Sequence, residues 1–517
     1  MPKTPSNKLF DLIKSLSGSE KRYFKLFIRE RDERSNKYLR LFDAIDQQSE
    51  FNEESLKDYV YGGEEIESRK YSELKAYLYD LILKSLQSFD SKNSAQAKIK
   101  SQLLGIEALC KRSRFQDAKQ LLHKAAKQAK KYEYWNLLLE IFDWEKKIAY
   151  AQTQIAYLNR ELPRIEEQER DALQQLQWIA EYQNLFFRLL VSLRLDASQR
   201  DDSIRAFRES LDAHPLLVSC PVQASHSVQI LYLRIKAVVA YAKGNTQTFY
   251  ETSKACIAQM ESQAHFLKED VSQYISALSN LVVSCGQLKK YEEVEHCLNK
   301  FLEIKPITKD DELKIHRQYF MNRFALCIRQ GDFIEGQAAM VRHEEALARF
   351  NRYSFQKNTF YFQYFYISFG SGDYESAVSH LNEWLSLGSN EERQDLQSLS
   401  RILNLIIHYE MDNTLLLESL VRSAYRYQKK QKMVYEYERL MLQFFRQSNK
   451  VASKRELKQA FQGLRSSLED LFVQPRERAM LQLFDVLAWV DSKILQVPFP
   501  EVVQRKFAQE RSAKTEA

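Results

Sequence analysis

Apolar residues along the chain fall at spacings of three and four, the pattern of helices that each bury one face. In Gly372-Asp373-Tyr374-Glu375-Ser376-Ala377, a glycine able to take positive φ and an aspartate able to cap precede an aromatic and then a small residue. Leu381 and Trp384 extend the same face. Gly331-Asp332-Phe333-Ile334-Glu335-Gly336, followed by Met340, repeats the arrangement with its aromatic 41 residues earlier. Tyr291, Val294, Leu298, Phe301 and Pro306 hold the same register 42 residues before that. Upstream, Phe115, Ala118, Leu122 and Ala125 share the spacing, as do Tyr71, Leu74, Leu78 and Leu81. The interval from Phe115 to Tyr291 predicts three further turns, near Asn159, Ser203 and Thr246. A last turn is expected at Met411-Asp412-Asn413-Thr414.

The ends of the chain depart from this repeat. Ser17 with Glu20 forms a capping box, Asn52 caps a helix between staple residues Phe51 and Leu56, and Gly62-Gly63 breaks it. Residues 1–62 therefore read as an N-terminal cap of short helices, with a DNA-binding helix-turn-helix over Ser15–Arg40 as the alternative. Ser453 and Glu456 open a helix carrying Leu457, Phe461, Leu464, Leu468 and Leu471. Pro475 begins another whose stripe runs Met480, Leu483, Phe484, Leu487, Val490 and Ile494 before Pro498-Phe499-Pro500. The expected domains are the cap at 1–62, a hairpin array at 63–430, C-terminal capping helices at 431–508, and a frayed tail at 509–517.

The order aromatic, small residue, apolar, small or aromatic, then proline resembles the second helix of tetratricopeptide repeats across roughly residues 63–430. The period of 40–45 departs from the 34 of that family. The segments Ser15–Phe27 and Asp412–Lys430 also resemble those of uncharacterised bacterial solenoid proteins. The resemblance implies an all-α, right-handed α-solenoid of about eight helical hairpins with helical caps. Its concave groove, lined by the first helix of each hairpin, is expected to bind a protein or peptide.

Composition supports the helical assignment. Gly (12) and Pro (9) are too few for loop-rich or all-β folds, and 28 Tyr, 30 Phe and 5 Trp supply ample core. No signal-peptide pattern opens the chain and no apolar run is long enough to span a bilayer. Six cysteines with no C-x-x-C fit reduced thiols, so the expected compartment is the cytoplasm.

Phosphate-loop, dinucleotide, zincin and nucleophile-elbow motifs are absent from the sequence. Cys285, His296 and Cys297 come nearest to a metal cluster. In the repeat register, however, Cys285 and Cys327 occupy equivalent inward positions and read as small core residues. The acids and arginines interleaved over Arg164–Asp171 read as a solvated helix face. No cofactor, metal or catalytic residue is expected.

Two features stand out. Phe360–Phe369 has seven aromatics in ten positions, which cover well over half of a helix circumference. In the tetratricopeptide register Phe362, Tyr366 and Phe369 face the groove, with Arg234, Gln318, Met321 and Arg329 at equivalent positions on earlier first helices. Either these rings anchor a partner or they fill wide gaps between helices. The other feature is charge. Against a net +7, residues 98–131 hold ten Lys/Arg and two Asp/Glu, and residues 421–465 hold twelve and three. Lys124, Lys127 and Lys131, and likewise Arg422, Arg426, Lys429 and Lys430, lie opposite apolar stripes. They form either solvated faces or a basic patch for acidic protein or nucleic-acid phosphates, aided by Tyr425 and Tyr427. The leading expectation is a non-catalytic interaction scaffold, and the alternative is a nucleic-acid- or ribosome-associated protein.

Overall fold

The computed structural model of the chain describes residues 7–29, 36–62, 68–194, 206–207, 210–347, 350, 360–386, 394–429, 435–448, 453–481 and 483–515. Among these every regular element is helical, and helices adjacent in sequence pack against each other, consistent with a helical solenoid. The chain divides into two compact units. One comprises Met1–Phe187, Ala213–Ile235 and Ala258–Val271; the other comprises Arg188–Asp212, Lys236–Ile257 and Ser272–Ala517.

In the first unit, α1 (Lys8–Ser15), α2 (Gly18–Arg29), α3 (Asn36–Gln47), α4 (Glu53–Tyr61) and α5 (Ser68–Asn93) share a core around Ile13, Phe24, Phe42, Tyr71 and Leu78. The α2 capping box forms: the Glu20 N–H donates to Ser17 Oγ at 3.2 Å, and the Ser17 N–H donates to the Glu20 carboxylate at 2.6 Å. Lys21 and Lys25 of α2 pair with Asp46 and Asp43 of α3 at 2.5 and 2.7 Å. That pairing engages the cations a DNA-reading helix would turn to phosphate. Next come α6 (Ala95–Cys110), α7 (Phe115–Lys131), α8 (Trp135–Ala151) and α9 (Ile155–Arg194, of which the residues from Arg188 onward fall in the second unit), with a second core around Ile106, Ala118, Ala125, Ile141 and Ile165.

One turn design recurs. Ser113, Glu133, Thr153, Gly244, Lys289, Gly331, Gly372 and Asp412 all have positive φ, and a helix starts two residues after each. In every case the following N–H donates to the carbonyl five residues before it, as from Asp332 to Cys327 at 3.0 Å and from Asn413 to His408 at 3.0 Å. This closure satisfies a helix-end carbonyl that would otherwise lack a partner. From Gly244 onward these turns recur 40–45 residues apart, as the sequence period requires.

The turn expected near Asn159 lies instead at Thr153, and Asn159 sits inside α9, a single 40-residue helix that runs through Pro163. A proline inside a helix costs about 3 kcal/mol. Buried Ile165, Ala172, Tyr182 and Leu189 continue one apolar stripe beyond it and hold the helix together. The turn expected near Ser203 falls outside the described residues, as does Gly63.

In the second unit, the pairs Ser272–Gln287 with Tyr291–Glu303, Lys309–Gln330 with Phe333–Leu347, Tyr361–Gly370 with Tyr374–Ser386, and Gln394–Glu410 with Thr414–Gln428 follow one another. Helices Glu436–Ser448, Lys454–Leu471, Pro475–Leu481 and Val486–Leu495 come next, then a C-terminal helix, Phe499–Thr515. The single stripe expected from Met480 to Ile494 is split between two helices, with Phe484 in the break. Helix also continues past Gln509 to Thr515, where a frayed tail was expected.

Two outcomes follow from this packing. A Cβ on Gly370 would lie 2.3 Å from the Phe333 ring. Gly370→Ala should therefore destabilise the chain by about 1–3 kcal/mol, read as a lower urea midpoint by circular dichroism. His226 is buried, its Nδ1 paired with the Gln259 side chain and its ring stacked on Phe266. Burial outweighs the nearby Glu133 carboxylate and holds the imidazole below its ordinary range. An unfolded chain takes up this proton near pH 6.5, so the contribution is present above that pH and is lost as pH falls through the lower folded value. The urea midpoint should drop between pH 7.5 and 5.5, and His226→Gln should shrink the drop.

Candidate functional site

Three consecutive helices of the first unit enclose a cleft of about 580 Å³. Leu122 and Ala126 of α7 and Ile141, Phe142 and Ile148 of α8 make its apolar floor. Leu122, Ile141, Phe142 and Ile148 are buried because they also form the α7–α8 seam. The rim is cationic: Lys119, Lys127 and Lys130 climb α7 at helical spacing beside His123, and Arg164 faces them from α9.

The far wall is preorganised. Glu145 of α8 accepts from Tyr157 Oη and from an Arg164 terminal nitrogen, both at 2.7 Å, and Arg164 Nε also donates to Glu161 at 2.8 Å. Burial, then the hydrogen bond to Glu145, pushes the Tyr157 phenol up to about 12, so it stays a donor at neutral pH. The hydrogen bonds from Arg164 and Arg160 hold the Glu161 carboxyl below its ordinary value. Across the cleft the lysines meet only neutral groups: Lys119 donates to the Gln154 side chain at 2.7 Å and Lys130 to that of Gln168 at 3.0 Å. Among the described residues none of the α7 lysines, Lys119, Lys124, Lys127, Lys130 and Lys131, has a carboxylate within ion-pair distance. Nearby exposed faces do carry such pairs, as in Lys111–Glu107 and Lys147–Asp143. The α7 stripe is therefore an uncompensated field over an apolar floor, suited to binding an anionic, partly apolar group.

Lys124, Lys127 and Lys131 are exposed, opposite buried Leu122, Ala125 and Ala129, as the sequence pattern requires. Of the three, Lys127 lines the cleft. Sequence reasoning missed Lys119, Lys130, Tyr157 and Arg164. The α7 ladder was readable from spacing, whereas the α9 contribution depends on where that helix starts. The second basic stretch belongs to the other unit. There Arg422 and Arg426 are exposed on helix Thr414–Gln428 and Lys429 is exposed just past its end, with the Lys429 ammonium 5.0 Å from the ring of exposed Tyr425. Lys430 lies outside the described residues.

The expected aromatic groove is corrected by the packing of the second unit. Tyr366 and Phe369 are buried, not open to a partner. Phe484 lies 4.9 Å from the Tyr366 ring and 5.2 Å from that of Phe369, Phe499 lies 5.4 Å from Phe369, and the Asp485 N–H donates to Tyr366 Oη at 3.1 Å. Phe362 is half-buried against Trp384 at 4.9 Å. The aromatics encircle helix Tyr361–Gly370 because neighbours surround it: its own hairpin partner, the preceding hairpin, and the C-terminal helices of the chain.

The polar positions expected in that groove are also engaged internally. Ser279 donates to the Gln318 side chain at 2.8 Å, and Gln363 donates to the Met321 carbonyl at 2.9 Å, so three successive first helices are linked. Arg329 holds Glu510 of the C-terminal helix through two bonds of 2.7 and 2.8 Å. Arg234 lies in the first unit, half-buried with its guanidinium 5.6 Å from the Phe186 ring.

Cys285 and Cys327 are buried, and Cys297 hydrogen-bonds to the Cys285 thiol, which that contact and burial push up. His296 is exposed on helix Tyr291–Glu303, where the neighbouring Cys297 is buried. No helix among the described residues is long and apolar enough to cross a membrane. No protein-family model matches the chain, and no curated protein matches it.

Proposed function

We propose that the chain is a non-catalytic, cytoplasmic interaction scaffold, a right-handed tetratricopeptide-like array of about eight hairpins. In this reading the α7–α8–α9 cleft holds an acidic amphipathic helix or peptide. The observation that carries it is the row of α7 lysines without carboxylate partners above the floor of Leu122, Ala126 and Phe142. Carboxylates on the partner would meet Lys127 and Lys130 while its apolar side chains cover the floor. The first contact sets encounter rate and orientation, and the second supplies most of the affinity.

A second reading has its own support. Arg422, Arg426 and Lys429 around the exposed ring of Tyr425 offer phosphate contacts beside a stacking surface, as single-stranded nucleic acid requires.

A labelled synthetic helix with Glu along one flank and Leu along the other is the probe for the cleft, read by fluorescence anisotropy. Lys127→Glu combined with Lys130→Glu should weaken binding by about tenfold or more, and added salt should weaken it steadily. Arg422→Glu combined with Arg426→Glu should leave it unchanged. Binding indifferent to the first pair overturns the cleft reading. A short single-stranded RNA that binds more tightly than the peptide and is lost with the second pair establishes the other reading.

A further inference from the structure

The C-terminal helix is held on the second unit by two dissimilar sets of contacts. Phe499, Val502 and Val503, at its start, are buried in the core that contains Phe333, Tyr366 and Phe484. Beyond Val503 the contacts are mainly polar, among them Lys506 to the Asp485 carboxylate at 3.1 and 3.2 Å and Tyr291 Oη to Glu510 at 3.3 Å. The half-buried Phe507 ring sits 4.6 Å from that of Tyr291, and Gln504 donates to the Gly331 carbonyl at 2.9 Å. Glu510 accepts from Arg329, and from Lys289 at 3.3 Å. Arg329 keeps 52% of its side chain exposed in this pairing. Segments held by few buried apolar contacts open at lower free energy than the core. The part of the helix after Val503, which adds no residue to that core, is therefore expected to open at lower free energy than Phe499–Val503.

The surface beneath is built by the repeat. Lys289 and Tyr291 come from one positive-φ turn, and Arg329 and Gly331 from the next. It offers two cations, an aromatic face and a backbone carbonyl. Gly331 serves it twice: its φ is +71°, and a Cβ there would lie 3.0 Å from the Gln504 backbone nitrogen and 3.1 Å from the Pro500 carbonyl oxygen. A helix can lie this close only over a residue without a side chain.

We infer that this surface is a recognition site for a helix of a partner protein carrying an aromatic residue three positions before a carboxylate, and that Phe507 and Glu510 fill it in cis as a competitor. Residues three apart share one helix face, which matches the ring of Tyr291 beside Arg329 and Lys289. Tethering gives the internal helix an effective concentration on the order of millimolar, so a partner's apparent affinity is reduced by the fraction of sites already filled.

The probe is a labelled peptide of residues 504–515, tested against the full-length chain. Phe507→Ala with Glu510→Ala in the chain should raise its affinity for the peptide by about tenfold or more over the unmodified protein. Adding Arg329→Glu should abolish binding, and a peptide bearing Glu510→Arg should restore it. Equal binding by the unmodified and double-variant chains, or indifference to Arg329→Glu, overturns the inference. A double variant that dimerises in light scattering also overturns it, by assigning the site to a second copy. Hydrogen exchange on the unmodified protein is an independent check: amides 504–515 should exchange faster than those of the core helix Val486–Leu495, and protection equal to the core removes the proposal.

Discussion

A single residue at positive φ, with the next N–H closing back on a carbonyl five residues earlier, ends helix after helix along this chain. Much else follows from that clip. It satisfies helix-end carbonyls without a long loop, and it sets where the next helix starts and therefore which face that helix turns to its neighbours. Glycine supplies the conformation at Gly244, Gly331 and Gly372, whereas Ser113, Glu133, Thr153, Lys289 and Asp412 adopt it against the preference of L-residues. The adjacent helices repay that strain by burying residues such as Ala118, Ile141, Tyr291 and Phe301.

Helical pairs stacked in this way leave faces that must be covered or kept polar. The two units meet the requirement differently. In the first, α7, α8 and α9 leave a cleft whose apolar floor is bordered on one side by α7 lysines without a carboxylate at ion-pair distance among the described residues, and on the other by Arg164 paired with Glu145 and Glu161. In the second, the aromatic face of helix Tyr361–Gly370 is covered by the chain itself. Glu410 strengthens that closure, accepting from Trp489 Nε1 and from the Lys493 ammonium, both at 2.6 Å. Both oxygens of this deeply set side chain are thereby engaged by donors on the covering helix.

Local chemistry was largely legible in the residues themselves. The starts of helices at Phe115, Thr246, Tyr291, Phe333, Tyr374 and Thr414 coincide with the positions the spacing assigns, because capping and turn formation involve only neighbours along the chain. The Ser17–Glu20 capping box and the inward thiols of Cys285 and Cys327 were equally readable. The basic ladder of α7 could be read as exposed, since its opposite face is aliphatic.

Other features required contacts between residues far apart in sequence. Pro163 signals a break, and only the burial of Ile165, Ala172 and Tyr182 against other helices keeps α9 whole. Phe362, Tyr366 and Phe369 share a face that periodicity cannot mark as groove or core, because the distinction depends on whether Phe484 and Phe499 arrive there from more than a hundred residues away. Arg329 reads equally well as a free cation until Glu510 is seen beside it. By itself the sequence determined helix type, turns such as those at Gly244, Gly331 and Gly372, and inward stripes such as that of helix Phe115–Lys131, all of which depend on interactions within a few residues. Which faces remain open was decided only by the tertiary structure, since exposure depends on what the rest of the chain places against them.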